Sequence, residues 1–560
     1  VTFGAPVSTL TVSTSAGSDS SIGVTFAKIA ESAPSAGGAV TINATGSGAS
    51  GDVITGVINT AGGSSTGFGG AAAGAVSITS AGDALNIEGA VTATGGTGTA
   101  AGADGRVTLQ ATAGDIVQAD GSNEISAKEV VITSTAGAVS LNDVTNEFGA
   151  VSATLTGASK ALTIKNNTDL NVGVDETGAG LIGLTTNGGA INLQSVSGDV
   201  SIDAAIQTSG GTLTSTGTDF SNTAAIITGG GAVDLNAQTG TVDIDANVTT
   251  LGGAFTATGA SAFDSQGKAI TTSGQTGRAG GVVTITTSTG DSSVGGINSN
   301  GAAGGYAGGS VTLVAAGALN VTSDLNVQGG GAFNGGAGGN VSLTGANGIV
   351  VAGSINASGG SSFNVGPGGT VTFNSDTVLG ADVSFSTGAD SGGIAFKGAL
   401  DSDSTARALT LIAGTGNINF DGAVGDGEDG ALGAVTINSA ATFDTDDVFK
   451  AASFTQSAGS TLTQFDGAVT LTGAFDFTGE ALTLNAALAS STVAVTNAGT
   501  FTTAAAGDIT STGTFTQNGT DTNSLAGDIT TTDSTIGFAT GVTLTGDLAL
   551  STGAGGGDIT

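Results

Sequence analysis

The sequence predicts an all-β fold, a parallel β-helix with coils of about 20 residues and glycine-rich insertions. Short runs of alternating apolar and polar residues recur along the chain, glycine-rich turns separate them, and similar strand phrases return at regular intervals. No segment has the i, i+3, i+4 apolar spacing of an amphipathic helix. Because a single coil cannot bury its own apolar face, a stack of coils is needed to give a continuous core.

The strand phrase Gly-Gly-X-Val-Thr/Ser-apolar sets the interval between coils. Val311, Val341 and Val371 belong to GGSVTL, GGNVSL and GGTVTF and are 30 residues apart. From Ile191 to Phe255 related phrases return after 22, 20 and 22 residues. A basic coil with an optional insertion of about 10 residues explains both intervals. Valine and threonine suit the strands, and glycine suits corners where φ is positive.

Each coil is predicted to contain three short strands separated by Gly, Asn, Asp or Ser turns. In the coil that begins at Val311, alternating apolar residues fall into three pairs that would point inward: Val311 and Leu313, Leu319 and Val321, Leu325 and Val327.

Two segments are distinguished by the length of their insertions. Residues 1–395 carry long glycine-rich insertions, and residues 396–560 continue the β-helix with shorter coils. We expect both to belong to one continuous rod. Because the chain begins with valine and contains no methionine, we also expect it to be a fragment of a longer protein.

Composition excludes several classes of function. Ten Lys and Arg against 45 Asp and Glu give a formal net charge of −35, which disfavours binding to nucleic acid and to anionic lipid. No apolar stretch reaches the roughly 18 residues of a spanning helix, so no membrane insertion is expected. Histidine and cysteine are absent, which removes histidine acid–base chemistry, thiol nucleophiles and thiolate metal sites.

The best candidate for catalysis is the group Asp401, Asp403 and Arg407. Carbohydrate-active enzymes built on a β-helix combine carboxylates with an Arg or Lys on one wall, and the ten basic residues of this chain are otherwise scattered. A solvated corner explains the three residues more simply. The sequence therefore favours a protein that is not an enzyme, with a β-helical carbohydrate-active enzyme as the alternative.

The densest acidic stretch, residues 421–447, suggests a metal site. Calcium takes several carboxylate and carbonyl oxygens from flexible loops, and a DGEDG turn offers such ligands. The stretch matches neither an EF-hand loop nor the tandem calcium-binding β-roll repeat. A solvated turn is the competing interpretation, so the sequence indicates no cofactor other than calcium. The candidate ligands are Asp426, Glu428, Asp429, Asp444 and Asp446.

Aromatic residues recur in the insertions. Phe68, Phe333 and Phe363 each precede the strand valine of the next coil by eight residues, and Tyr306 precedes Val311 by five. One interpretation is that these side chains fold back as a lateral hydrophobic lid. The other is a row of exposed aromatics for stacking on sugars or for lateral contact between rods. The excess of phenylalanine over tyrosine and tryptophan favours packing, because phenylalanine has no polar group.

The tandem phrases GGSVTL, GGNVSL and GGTVTF, with GAINL and the turn GSINASGG, resemble the filamentous-haemagglutinin-like proteins, which are bacterial surface adhesins and fibre proteins. The similarity extends over nearly the whole chain but is of low complexity. The NPNG-like motif of that family's secretion domain is not seen in this sequence. The resemblance implies a right-handed β-helix, export, and a role in adhesion or in a surface fibre.

These observations predict a non-enzymatic extracellular rod of a bacterial cell surface, adhesive or assembled into a filament. Its expected partner is a second copy, joined head to tail or laterally, or the surface of a host or neighbouring cell. A secreted carbohydrate-binding module, whose ligand would meet the aromatic insertions, is a further alternative.

Overall fold

The computed structural model describes residues 2–3, 9–14, 20–26, 35–44, 52–119, 121, 123–174, 180–428 and 430–560. All of the regular elements in these ranges are β-strands. In this part of the chain there is accordingly no apolar helix of a length that would cross a membrane. The predicted all-β class is confirmed, and the chain divides into two compact units, residues 1–261 and 262–560.

The strands of the first unit are β1 (Thr2–Phe3), β2 (Thr9–Thr14), β3 (Ser20–Phe26), β4 (Ala39–Ala44), β5 (Val53–Asn59), β6 (Val76–Ser80), β7 (Leu85–Ile87), β8 (Val91–Ala93), β9 (Arg106–Ala111), β10 (Ile116–Gln118), β11 (Ile125–Ser134), β12 (Val139–Leu141), β13 (Glu147–Ala158), β14 (Leu162–Asn166), β15 (Leu170–Val172), β16 (Leu184–Asn187), β17 (Ile191–Ser195), β18 (Val200–Ile202), β19 (Ile206–Gln207), β20 (Leu213–Gly217), β21 (Phe220–Asn222), β22 (Ile226–Ile227), β23 (Val233–Ala237), β24 (Thr241–Ile244), β25 (Val248–Thr249) and β26 (Phe255–Gly259).

The strands of the second unit are β27 (Ala262–Asp264), β28 (Ala269–Thr271), β29 (Val283–Thr287), β30 (Ser292–Val294), β31 (Gly296–Asn298), β32 (Val311–Ala315), β33 (Leu319–Val321), β34 (Leu325–Asn326), β35 (Val341–Gly345), β36 (Ile349–Val351), β37 (Ile355–Asn356), β38 (Val371–Phe373), β39 (Thr377–Leu379), β40 (Val383–Ser386), β41 (Ile394–Phe396), β42 (Leu400–Ser402), β43 (Leu409–Ile412), β44 (Ile418–Phe420), β45 (Leu432–Thr445), β46 (Phe449–Gln456), β47 (Gly459–Phe465), β48 (Val469–Leu471), β49 (Ala474–Gly479), β50 (Ala481–Leu484), β51 (Leu488–Ser490), β52 (Thr492–Asn497), β53 (Phe501–Thr503), β54 (Ile509–Ser511), β55 (Phe515–Gln517), β56 (Asn523–Leu525), β57 (Ile529–Thr531), β58 (Ile536–Phe538), β59 (Val542–Leu544) and β60 (Leu550–Ser551).

From β14 to β41, and again from β47 to β57, parallel pairing of a strand with the third strand after it defines the coil. Longer strands such as β11, β13 and β45 pair with the second strand after them. In the first unit, Ile191 of β17 is paired with Leu213 of β20, which is paired with Val233 of β23, and Val233 with Phe255 of β26. The predicted steps of 22, 20 and 22 residues therefore correspond to one strand position in successive coils. The parallel β-helix predicted from these intervals is confirmed in this unit.

The 30-residue interval has the same meaning in the second unit. Val311 is in register with Val341, and Val341 with Val371. β33 pairs with β36 and β34 with β37, so each coil has the three predicted strands. In β32 the pattern of burial alternates along the strand, with Val311 and Leu313 buried. Alternation with period 2 places one face of each strand inside the coil.

Phenylalanine fills much of the core of the second unit. Phe373 stacks on Phe396 with ring centroids 4.5 Å apart, and Phe396 on Phe420 at 4.7 Å. These residues are opposite one another in paired strands, so the ring spacing follows the spacing of parallel strands, about 4.8 Å. A vertical aromatic column thus adds stacking to the burial of apolar surface.

Buried threonines stabilise one corner of the first unit. Thr186, Thr208, Thr228 and Thr250 occupy equivalent positions, and each donates its hydroxyl to the carbonyl of the glycine three residues later. Each hydroxyl thereby closes a turn that would otherwise leave a buried carbonyl without a donor. The corner can be buried because its polar groups are paired.

The sequence predicted glycine at corners where φ is positive, but several glycines of the insertions are required for a different reason. We define the insertion stack of the second unit as residues 273–280, 300–308, 328–338 and 358–368. Within it, Gly330 donates to the carbonyl of Tyr306 and Gly360 to that of Gly336, both at 2.7 Å. A Cβ at Gly330, Gly336 or Gly360 would overlap a carbonyl oxygen of the preceding layer, and none of the three has a positive φ. Close approach of backbones, not a positive φ, requires glycine there.

We predict that Gly70→Ala lowers the melting temperature, whereas Gly67→Ala leaves it unchanged. Both glycines lie in one insertion of the first unit. A Cβ at Gly70 would overlap the carbonyl oxygen of Gly96 in the next layer, and a Cβ at Gly67 meets no atom within 4 Å. Overpacking of this kind typically costs about 1–3 kcal/mol. Thermal melts followed by circular dichroism test the prediction, and equal melting temperatures for the two variants would contradict it.

Candidate functional site

The group considered for catalysis contains a bidentate ion pair. Arg407 Nε donates to Asp403 Oδ1 at 2.9 Å, and the guanidinium also donates to Oδ2 at 2.7 Å. The Arg407 guanidinium thereby lowers the pKa of Asp403 below its usual value. Asp401 accepts the backbone N–H of Gly427 at 3.0 Å. One carboxylate accepts N–H groups from one edge of the guanidinium, the bidentate geometry typical of strong Arg–carboxylate pairs.

Two open grooves lie on the second unit. The larger, about 470 Å³, is lined by residues that include Thr372, Ala395 and Asn419, and the described side chains around it carry no ionisable group. The smaller, about 330 Å³, has Glu480 as the ionisable residue in its lining. Neither groove combines two carboxylates with a cation, the arrangement that the carbohydrate-active alternative requires.

Many aspartates at the turns connect successive coils. Asp508, for example, accepts the N–H of Asp528 at 2.8 Å, and Asp528 accepts the N–H of Ala549 at 2.7 Å. A carboxylate that accepts a backbone N–H makes a charge-assisted hydrogen bond. Part of the acidic composition therefore stabilises the stacking of coils. The aspartates with this role include Asp115, Asp169, Asp199, Asp219, Asp291, Asp324, Asp376, Asp382, Asp401, Asp508 and Asp528.

The predicted calcium ligands are not brought together as one set. Asp426 forms an ion pair with Lys450, and Glu428 is exposed on the same turn. Asp429 lies outside the described residues. Asp444 and Asp446 do come together, and they are joined by Asp466, which is not among the predicted ligands.

Asp444, Asp446 and Asp466 form the one potential cation-binding group found among the described residues. One carboxylate oxygen from each lies within 4.8 Å of the others. Thr445 is paired with Phe465, so Asp446 and Asp466 follow equivalent positions of adjacent coils. That register is the signal by which Asp466 could have been found. Three carboxylates are suitable ligands for a hard cation, and calcium binding stays a prediction, with Asp466 in the ligand set.

Asp444 is the member of this cluster whose ionised form is destabilised. Burial, and then the negative charges of Asp446, Asp466 and Asp421, raise the pKa of Asp444 above its usual value. Within the described structure, its Oδ1 is buried and has no hydrogen-bond partner. Like charges at adjacent positions of paired strands are destabilising.

The four aromatic residues singled out from the insertions are exposed. The exposed fraction is 56 % for Phe68, 38 % for Tyr306, 66 % for Phe333 and 77 % for Phe363. The interpretation of a hydrophobic lid is therefore wrong for the phenylalanines, and the alternative of exposed aromatics describes them. Glycine backbones of adjacent layers approach one another closely in these insertions, and the rings lie on the outside.

Phe333 and Phe363 form an ordered pair at the tips of adjacent layers. Their ring centroids are 5.0 Å apart and the ring planes are inclined by 8°. Beside them, Asn364 donates its amide to the amide oxygen of Asn334 at 2.7 Å, and the two asparagines form a parallel bridge. The 30-residue spacing predicted the register of this pair, and the structure adds that the pair faces outward.

We predict that Asp444→Asn raises the melting temperature at pH 7, because it removes a poorly solvated charge beside other carboxylates. A raised folded-state pKa means that protonated Asp444 stabilises the fold at low pH, and this contribution is lost as pH rises through that pKa. The advantage of the variant should therefore shrink as the pH falls towards 4. Asp476→Asn, at an exposed strand position, is the control and should show no such pH dependence. Equal melting temperatures for wild type and Asp444→Asn at pH 7 would contradict the prediction.

Two features of the described residues are distinctive. They are the acidic cluster around Asp444 and the exposed aromatic pair of the insertion stack. Comparison of the chain with protein-family models, with curated proteins and with solved structures finds no match.

Proposed function

We propose that the chain is a non-enzymatic structural and adhesive element of a bacterial cell surface, exported and built into an extracellular fibre or a self-assembling filament. The proposal is supported mainly by the contacts that the buried and turn side chains make. Apolar residues, corner threonines and turn aspartates are committed to the stacking of one coil on the next. Coils that contact only their neighbours, as in solenoid proteins, suit a structural element.

The resemblance to filamentous-haemagglutinin-like proteins supports the same proposal. That resemblance implies export and a place in a surface fibre or adhesin. The acidic and cysteine-free composition is compatible with an exported protein whose stability comes from stacked coils and not from disulfides. Under this proposal the partner is a second copy of the chain or the surface of another cell.

A carbohydrate-active enzyme is the less supported alternative. Its best candidate residue, Arg407, is held in a bidentate pair with Asp403. Binding of carbohydrate by the exposed aromatics would not need a catalytic group. A single phenylalanine pair with two asparagines already bonded to each other offers few free polar groups to orient a sugar.

The proposal predicts that antibodies against the purified chain label intact, unpermeabilised cells that make the full protein. Immunogold electron microscopy should place the label outside the cell envelope and along fibres. Labelling confined to permeabilised cells would contradict a surface role.

The enzyme alternative is checked with the same purified chain. We expect no release of reducing ends or unsaturated products from a panel of polysaccharides. Release that is lost in Arg407→Ala, but retained in Arg106→Ala, would overturn the non-enzymatic assignment. Arg106 is a matched control because it also pairs with a carboxylate, that of Glu129 at 2.6 Å.

A further inference from the structure

The exposed aromatics of the second unit lie in a segment almost free of charge. Between Asp291 and Asp376 the sequence contains a single charged residue, Asp324, although the whole chain has a net charge of −35. Asp324 is engaged at a turn, where it accepts the N–H of Ser354 at 2.8 Å. The insertions 300–308, 328–338 and 358–368 contain no Asp, Glu, Lys or Arg, and the remaining insertion of the stack, 273–280, contains Arg278.

The scaffold beneath the aromatic tips is preorganised. Across one insertion, Gly336 donates to Gly330 at 2.9 Å, and between layers Gly335 donates to Asn364 at 2.8 Å. Asn364 in turn donates to the carbonyl of Phe333 at 2.9 Å. Because these loops are held by backbone hydrogen bonds on both sides, binding through their tips would cost little conformational entropy.

The distribution of charge indicates which macromolecule fits this surface. Two copies of a chain with a net charge of −35 repel each other, and at physiological ionic strength that repulsion is screened only beyond about 8 Å. A contact between two copies is therefore least opposed where the surface is neutral. The tips of insertions 300–308, 328–338 and 358–368 provide such a neutral surface, and they carry the large exposed apolar side chains Phe333 and Phe363.

The geometry of the pair favours a protein surface over a sugar. Phe333 and Phe363 stack on each other, and the adjoining Asn334 and Asn364 are hydrogen-bonded to each other. Sugar stacking needs a ring beside polar groups that are free to orient the sugar. A two-fold axis would place the same pair of a second copy opposite this one, so that the surface is complementary to itself. Two columns of rings could then interdigitate as in dry interfaces between stacked strands.

We propose that the tips of the insertion stack, centred on Phe333 and Phe363, form a lateral two-fold interface with a second copy of this chain. The inference rests on the proposed function in that it supplies the side-to-side contact of a surface fibre. It differs from head-to-tail assembly, which would involve strand edges and not the insertions.

The test compares the oligomeric state of the full chain with that of Phe333→Ser/Phe363→Ser by sedimentation velocity over a range of concentrations. Wild type should form a dimer, and the double variant should weaken dimerisation by at least about tenfold, as loss of central aromatic contacts does. Phe68→Ser removes an exposed phenylalanine from an insertion of the first unit and should dimerise like wild type. Equal melting temperatures show that all three proteins are folded.

A charged variant examines the electrostatic part of the inference. Ser362→Asp adds a carboxylate beside Phe363 on an exposed residue and leaves both rings in place. This substitution should weaken dimerisation at low salt, and dimerisation should recover as the salt concentration is raised.

Three outcomes would overturn the proposal. These are a wild type that stays monomeric up to its solubility limit, a double variant that associates as strongly as wild type, or a monomer whose aromatic pair binds a neutral polysaccharide. None of them changes the expected surface labelling of cells, so failure of this interface and failure of the proposed function are distinguishable.

Discussion

The hydrogen-bonded register between one coil and the next determines where core residues, glycines and turn aspartates occur along the chain. Because strands of adjacent coils are about 4.8 Å apart, a residue in a paired strand lies directly above an equivalent residue of the preceding coil. Val341 must therefore fit between Val311 and Val371, and Phe396 between Phe373 and Phe420. Similar residues recur in columns because like side chains pack well on themselves at this distance.

The same register determines where glycine and aspartate occur. Backbone contact continues from the strands into the insertions, where Gly330 and Gly360 approach a carbonyl of the layer below too closely for any side chain. At the turns, an aspartate can reach the N–H of the next coil, as Asp508 reaches Asp528. Columns of aspartate stabilise stacking but accumulate negative charge. Where carboxylates of adjacent coils lie close together, as around Asp444, burial and the neighbouring negative charges raise the pKa of that residue.

The net negative charge and the exposed aromatic residues both affect how copies of the chain would associate. A strongly acidic surface keeps copies apart and so maintains solubility. A neutral segment that carries Phe333 and Phe363 on a rigid glycine scaffold is the place where this repulsion is weakest. The proposed lateral interface is thus a consequence of how charge is distributed along the coils.

The fold could be predicted because the strands recur at regular intervals in the sequence and alternate apolar with polar residues. The interval between Val311 and Val341 gave the register, and the pairs within one coil gave the three strands. Within the insertions, alternation is lost, so the direction of Phe333 could not be inferred. Asp466 was missed because it is isolated in sequence and joins Asp446 only through the pairing of Thr445 with Phe465.

Hydrogen exchange in the insertions shows whether backbone pairing continues between layers outside the strands. These segments contain few strand residues, yet their N–H groups are hydrogen-bonded between layers. Peptides that cover residues 328–338 and 358–368 should exchange as slowly as the neighbouring strand Val341–Gly345, because their glycine N–H groups donate to adjacent layers. Exchange at the rate of an unprotected loop would contradict the claim that backbone register extends through the insertions and dictates their glycine content.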